Sequence, residues 1–240
     1  MFGWKELVRR LVAVLMPERC VFCGDVIPPL HVCCDACRET LLIVTPPICT
    51  YCGRTKEDCM CRKRRYAYDK VAAVFYYCDA GKAGVLRLKR YDDPQAIDYF
   101  ADQMAAVVRR EHGHLMLDGI AYVPMTKRDE RKREYNQGAL LARALSKRLN
   151  VPMLPVLKKL YQTNPQKATE PWYRSGNVLG VFDVTDEDAV RDKTILLVDD
   201  LLTTGATLHE CAKMLKIYGA KAVPAVALCV GKPKKKPDEL

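Results

Sequence analysis

Four apolar residues in unbroken succession, Ile195-Leu196-Leu197-Val198, run into two acids, Asp199 and Asp200. Such a run predicts a strand buried on both faces of a parallel sheet. After the acids comes Thr203-Thr204-Gly205-Ala206-Thr207. Leu208, Cys211, Met214, Leu215 and Tyr218 follow, and their three- and four-residue spacing predicts an amphipathic helix. The two rhythms alternate along the chain. Residues 71–77, 120–124, 181–184 and 222–230 read as further strands, and residues 151–157 as a short edge strand interrupted by Pro152 and Pro155. Helical spacing marks residues 84–90 and residues 96–110, where Ile97, Phe100, Met104, Val107 and Val108 share a face. Another helix is opened by Tyr135-Asn136-Gln137 and carried by Leu140, Leu141, Ala144, Leu145 and Leu149. Residues 162–176 lack a long apolar face, and a long irregular segment inside a compact domain is often a functional loop.

A strand, a short loop of small residues and a helix start make an anion site. Backbone N–H groups of the loop and of the helix N-terminus converge on one spot, and threonine hydroxyls add donors. Gly205 lets the backbone come close to the ligand. Carboxylates repel a phosphate, so Asp199 and Asp200 are expected to hold what lies beside it, ribose hydroxyls or a Mg²⁺ bridging to them. A sugar 5-phosphate fits this order. Neither G-x-x-x-x-G-K-[ST] nor G-x-G-x-x-G is present, which argues against an ATP P-loop or a dinucleotide fingerprint. The plainer reading of the same residues is a buried strand with a threonine-capped helix.

The strand at 120–124 ends in Met125-Thr126-Lys127-Arg128. An open α/β sheet places ligand contacts beyond the carboxyl ends of its strands, so this basic loop is a second candidate contact. The densest charge in the chain follows, from Lys127 to Arg133. Lys89 and Arg90 are read as either ligand-facing or solvated.

The 240 residues leave room for one α/β domain and a small module. A net charge of +10 points to anionic ligands, polyphosphate or nucleic acid, without choosing between them. In residues 1–16, Lys5, Arg9 and Arg10 lie among Trp4, Leu7, Val8, Leu11, Val12 and Leu15. That is an amphipathic helical spacing with no cleavage site after it, read as a helix docking on its own protein or on a membrane surface. No apolar run is long enough to span a bilayer, so integral membrane association is not expected and the protein is read as cytoplasmic. The run Arg62-Lys63-Arg64-Arg65 reads as a solvated linker or a contact to a phosphate backbone.

Twelve cysteines change the picture more than the charge does. Their spacing is Cys20-x2-Cys23, Cys33-Cys34-x2-Cys37, Cys49-x2-Cys52 and Cys59-x-Cys61. A C-x2-C knuckle lets two thiolates grip one Zn²⁺ from a tight turn, and two knuckles complete a tetrahedral site. Cys20, Cys23, Cys34 and Cys37 form a first set, in which Cys33 or His31 are possible substitutes. Cys49, Cys52, Cys59 and Cys61 form a second, tighter set. Four protein ligands each make the sites structural rather than catalytic. Disulfides would suit a secreted chain, and no export signal is read here. Cys78, Cys211 and Cys229 lack knuckle partners and read as core residues. The expected organisation is an N-terminal amphipathic helix at 1–19, a cysteine-rich module at 20–65, an α/β domain at 66–231 and a basic tail at 232–240.

Taken together these motifs resemble one family, the ComF-type (competence protein F-like) proteins with a phosphoribosyltransferase domain. The likeness rests on the paired cysteine knuckles, the V-P-x-x…R…Y-N-Q block from Val123 to Gln137, and the T-x-x-Q…R-x-x-N-V stretch from Thr163 to Val178. The acid pair with T-T-G-x-T completes it and resembles the phosphoribosyl-pyrophosphate (PRPP) motif of type I phosphoribosyltransferases. The chain departs from the family in having Tyr135 where phenylalanine is common, and Cys59-x-Cys61 where C-x2-C is common. The resemblance implies a type I phosphoribosyltransferase fold, a mostly parallel sheet flanked by helices, with a small N-terminal zinc ribbon. It implies PRPP or a related sugar phosphate as ligand, held with Mg²⁺ by Asp199 and Asp200 and by Thr203, Thr204, Gly205, Ala206 and Thr207. Met125, Thr126 and Lys127 stand where a pyrophosphate loop is expected, and Lys127 and Arg128 are the cations that would face departing charge. Arg131, Lys132, Arg133, Asn136 and Gln137 are assigned to pyrophosphate or nucleic-acid contact. The family is associated with natural transformation, so single-stranded DNA and competence-machinery proteins are implied partners. Two functions remain open at this point: a phosphoribosyltransferase with an unidentified acceptor, or a zinc-dependent binding module for single-stranded DNA or competence partners that retains a PRPP-like site.

Overall fold

The computed structural model describes residues 17–59, 61, 66–90, 93–126, 130–131, 135–160 and 181–233. The amphipathic segment 1–16, the basic run 62–65, Lys127, Arg128, Lys132, Arg133, the segment 162–176 and the end of the tail from residue 234 lie outside them. In chain order the elements are α1 (Asp35–Thr40), β1 (Val71–Tyr76), α2 (Asp79–Leu88), α3 (Pro94–His112), β2 (Gly119–Tyr122), α4 (Gln137–Leu149), β3 (Leu157–Lys159), β4 (Phe182–Val184), β5 (Ile195–Leu202), α5 (Ala206–Ile217) and β6 (Ala225–Val230).

Four strands form a sheet in the order β1-β6-β5-β2, every pairing parallel. Unbroken apolar sequence suits strands covered on both faces, and every residue of β1 and β6 is buried, as are the first four of β5. The second sheet is the antiparallel pair β3-β4. Helices α3 and α4 pack on each other and on the sheet, α3 against β1 and β6, α4 against β5 and β2. Their ends are chemically specified. Asp93 caps α3 by accepting from the N–H groups of Gln95 and Ala96, with Pro94 in the first turn, and Asn136 caps α4 by accepting from Ala139.

Three elements differ from the pattern reading. β5 does not stop at Val198 but continues through both acids, because Asp199 pairs with Ala227 and Leu202 with Val230 on β6. Backbone pairing, blind to side-chain polarity, carries the strand on. Helix α2 begins at Asp79 rather than residue 84, since Gly81 and Gly84 hide the periodicity. A side chain at Gly81 would stand 2.2 Å from the Tyr76 carbonyl oxygen, and one at Gly84 would stand 2.9 Å from the Phe100 ring. The expected edge strand at 151–157 is reduced to a single parallel bridge between Met153 and Ile120. Pro152 and Pro155 have no N–H to extend it, and the regular strand is β3 instead.

The cysteine-rich module is welded to the sheet. Its middle segment lies along the free edge of β1: Val44 N–H donates to the Val74 carbonyl (2.9 Å) and Tyr76 N–H to that of Leu42 (2.9 Å). Phe22, between the first two cysteines, is fully buried edge-on against Phe75 and Phe100, with centroids 5.7 and 5.5 Å away. The two modules therefore share one core.

Candidate functional site

β5 delivers Asp199 and Asp200 to the carboxyl end of the sheet. Both line a cleft of about 280 Å³ together with Lys89, Met125, Gln137 and Lys159. Successive strand residues face opposite ways, and the two acids find different partners. Asp200 Oδ2 is 3.1 Å from Lys89 Nζ, while Asp199 Oδ1 accepts from the Asp200 N–H at 2.8 Å. Burial, and next the charge of Asp200, hold the Asp199 carboxyl well above the usual carboxylate range. Ionising both acids is thus costly, a cost that a divalent cation or a set of hydroxyl donors would relieve.

The loop after β5 turns directly into the N-terminus of α5. Gly205 adopts φ +80° and forms the N-cap of α5, while Thr204 Oγ1 accepts from Ala206 N–H at 3.3 Å. Thr203, Thr204, Ala206 and Thr207 are exposed. A Cβ at Gly205 would stand 2.8 Å from the Tyr68 hydroxyl and 3.1 Å from the Tyr66 ring, so both its dihedral and its surroundings require glycine. From the other side, Tyr66 donates its hydroxyl to the Thr204 carbonyl at 2.8 Å, and His209 Nδ1 accepts from Ala67 N–H at 2.8 Å.

Of the remaining sequence candidates, Met125 lines the acid cleft and Thr126 is buried beside it in the chain. Asn136 and Gln137 border the cleft but are buried, and the Asn136 amide is committed to structure. It donates to the Val123 carbonyl at 3.2 Å while capping α4, which ties the end of β2 to that helix. Arg131 is exposed. Two cations of the cleft were not resolved from sequence. In sequence Lys89 reads equally as ligand-facing or solvated, and Lys159 carries no signal because its short strand β3 has no distinctive pattern.

The cysteines gather as two sets, Cys20, Cys23, Cys34 and Cys37, and Cys49, Cys52, Cys59 and Cys61, with the sulfurs of each set all within 4.8 Å of one another. Cys33 and His31 belong to neither. Tetrahedral Zn–S bonds of about 2.3 Å place sulfurs about 3.8 Å apart. The separations of Cys23 from Cys34, Cys49 from Cys61, and Cys52 from Cys59 are each 3.7 Å. The donor set therefore fits zinc in both, and the tighter Cys59-x-Cys61 spacing still closes the second. The knuckles repeat one hydrogen-bond pattern: Gly24 N–H to Cys20 carbonyl and Gly53 N–H to Cys49 carbonyl, both 2.9 Å. Burial opposes ionisation at Cys20, but N–H groups of Cys23, Cys34 and Phe22 outweigh it and bring that thiol to about 7. Burial pushes Cys23 and Cys52 up to about 12. Four thiolates this close need a cation to coexist.

Comparison with known proteins agrees. The family model of the Phosphoribosyl transferase domain matches residues 136–240, and that of the Double zinc ribbon domain matches residues 11–69. Competence protein F of Haemophilus influenzae is 26% identical over 216 residues, covering 85% of this chain and 93% of that protein. Competence protein ComFC of Bacillus subtilis is 28% identical, covering 79% and 80%. The chain is a competence protein F/ComFC homologue. It has the type I phosphoribosyltransferase fold with a double zinc ribbon whose cysteine clusters support structural zinc. The DNA utilization protein YhgH of Escherichia coli is 32% identical over 122 residues, half of this chain and 53% of that one. Among the described residues no helix is long and apolar enough to cross a membrane.

Proposed function

We propose that this ComF homologue binds PRPP, or a closely related ribose 5-phosphate ester, and acts in the handling of single-stranded DNA during natural transformation. The observation that carries the reading is the acid pair at the end of β5 running directly into the Gly205 cradle at the N-terminus of α5. The 5-phosphate would take the loop N–H groups and the hydroxyls of Thr203, Thr204 and Thr207. Asp199 and Asp200 would take ribose hydroxyls and Mg²⁺, whose role would be to shield the diphosphate and draw negative charge away from the anomeric carbon. Lys89 and Lys159 stand in the same cleft as the acids, where cations would face a leaving pyrophosphate. Lys127 and Arg128 remain proposed as further cations of that loop, and the competence role follows from the names of the relatives.

The test is calorimetric titration of the zinc-loaded protein with PRPP and Mg²⁺, with the double variant Asp199→Asn/Asp200→Asn as control. Saturable binding in the native protein that the folded variant loses is the expected result. Equal binding by both proteins would show that the sugar sits elsewhere. No binding by the folded native protein would leave the motif as scaffold and move the inquiry to DNA.

A further inference from the structure

The second cysteine set is tied to the phosphate loop on both of the loop's flanks. Shortly after Cys61, the last of the set, Tyr66 donates its hydroxyl to the Thr204 carbonyl at 2.8 Å. The next residue, Ala67, donates its N–H to His209 Nδ1 on α5 at 2.8 Å. Tyr66 is itself stacked on Tyr68, with centroids 4.8 Å apart, and the Tyr68 hydroxyl donates to the carbonyl of Tyr51 at 2.8 Å. Tyr51 lies between Cys49 and Cys52, in the knuckle of the same set. On the other flank Arg54 of that knuckle donates from Nε to the Gly231 carbonyl at 2.6 Å. Gly231 N–H in turn donates to the carbonyl of Leu202, the last residue of β5, at 2.9 Å.

The bond from Tyr66 has a specific consequence for anion binding. A peptide unit is planar and trans, so its C=O and N–H point opposite ways. Holding the Thr204 carbonyl toward Tyr66 therefore turns the Gly205 N–H to the opposite side. That N–H is one of the donors a phosphate takes at a helix start. Gly205, at φ +80°, has the widest backbone freedom of any residue type, so the orientation of this peptide depends on an outside partner. The first cysteine set makes a different connection, because Phe22 between its ligands packs on Phe75 and Phe100.

We propose that Tyr66 is a positioning residue that couples the second cysteine set to the phosphate loop. The loop binds a sugar phosphate at full strength only while the second set holds its zinc, and the sugar phosphate in turn tightens that zinc. The inference rests on the phosphate-loop reading above and adds to it a metal dependence that the ligand site's own residues do not imply. The sulfur separations of the second set fit zinc. Without a cation the four thiols lose what gathers them, and the knuckle that carries Tyr51 and Arg54 loses its fixed shape. Coupling between two sites is reciprocal in binding free energy, so each partner must favour the other by the same factor.

Two equilibria on the full zinc-loaded chain test this. Ribose 5-phosphate binding is measured by calorimetry, and zinc affinity by competition with a chromophoric chelator, with and without saturating ribose 5-phosphate. In the native protein the ligand should raise the affinity of the zinc ion in one set by about fivefold or more and leave that in the other set unchanged. Tyr66→Phe keeps the ring but loses the bond to Thr204. It should retain zinc in both sets, bind ribose 5-phosphate about fivefold more weakly, and abolish the ligand's effect on zinc. Cys49→Ser/Cys52→Ser should bind the ligand at least as weakly, and its remaining zinc should ignore the ligand. If that double variant does not fold, Tyr66→Phe and the native zinc response decide alone. Weaker ligand binding in Tyr66→Phe, with native zinc affinity indifferent to the ligand, would make the tyrosine a local brace and overturn the coupling. Equal binding of ribose 5-phosphate by the native protein and Tyr66→Phe also overturns it, while the sugar-phosphate reading stands. Absence of binding by the folded native chain removes that reading and the coupling with it.

Discussion

Asp199 and Asp200 stand side by side in a strand whose other positions are apolar, with Lys89 paired to only one of them. In the absence of ligand the Asp199 carboxyl, raised by burial and by its neighbour's charge, makes the fold bind a proton that the unfolded chain has already released. The sign follows: stability falls as pH rises above the unfolded carboxylate value, until the folded group itself ionises. Asp199→Asn removes this cost. In Mg²⁺-free buffer at neutral pH the variant should melt higher than the native protein, by about 2 °C or more for a chain of this size, while losing PRPP affinity. A lower melting temperature would mean that the carboxylate, not its neutral form, is what the fold accommodates. The acids were legible in the sequence because a charged pair after four apolar residues has few structural explanations. Lys89 was not, since it closes a glycine-containing helix whose face cannot be assigned until α2 is seen to start at Asp79.

Elements set by burial alone are legible in the sequence, whereas those set by backbone pairing or by proline are not. The unbroken apolar runs at β1 and β6 were found as strands, and the face of α3 carried by Phe100, Met104 and Val108 is buried as its spacing implied. What periodicity misses is backbone pairing through Asp199 to Leu202 and the loss of donors at Pro152 and Pro155. The last residue of α3, His112, was equally silent in the sequence. It is buried, its Nε2 lies 3.1 Å from the Ala225 carbonyl at the start of β6, and burial lowers it to about 4. A carbonyl can only accept, so Nε2 carries the proton of a neutral ring. The unfolded histidine titrates near 6.5, so between that value and about 4 the unfolded chain binds the extra proton. Stability is therefore full above pH 6.5 and declines as the pH falls, by about 3 kcal/mol over the window. His112→Asn can still donate to Ala225 but does not titrate. Urea unfolding at pH 7 and pH 4.5 should show a smaller acid loss in this variant than in the native protein. Comparing the two slopes cancels the acid lability of the cysteine clusters. Equal slopes would place the proton elsewhere.

For the whole molecule, the question is whether the zinc ribbons are appendages or part of the sheet's support. The sequence pattern drew a boundary between residues 65 and 66, because cysteine spacing and strand periodicity are separate signals and neither reports contacts between them. In the structure that boundary is crossed by the core. Residues 42–44 pair with the outer edge of β1, Tyr76 donates its hydroxyl to Asp58 Oδ2 at 2.5 Å, and Phe22 packs into the aromatic cluster over α3. An edge strand that loses its cover exposes unpaired backbone groups, and zinc binding in small modules is itself folding free energy. Removing zinc should then destabilise β1 along with the ribbons, whereas β2, paired with β5 inside the domain, should be spared until global unfolding. Hydrogen exchange on the zinc-loaded protein and on Cys20→Ser/Cys23→Ser tests this directly. The amides of Val71 and Tyr76, which donate to the Thr50 and Leu42 carbonyls across the module boundary, should lose protection by at least tenfold, and those of Ile120 and Ala121 should not. Phe22→Ala provides the complementary case: zinc is retained, but a core ring worth about 3–5 kcal/mol is deleted, so the same β1 amides should weaken with the metal still bound. If β1 keeps its protection in both variants, the ribbons are appendages and the shared core is contact without support. If it loses protection in both, the cysteine-rich module is also what holds the β1 edge of the sheet.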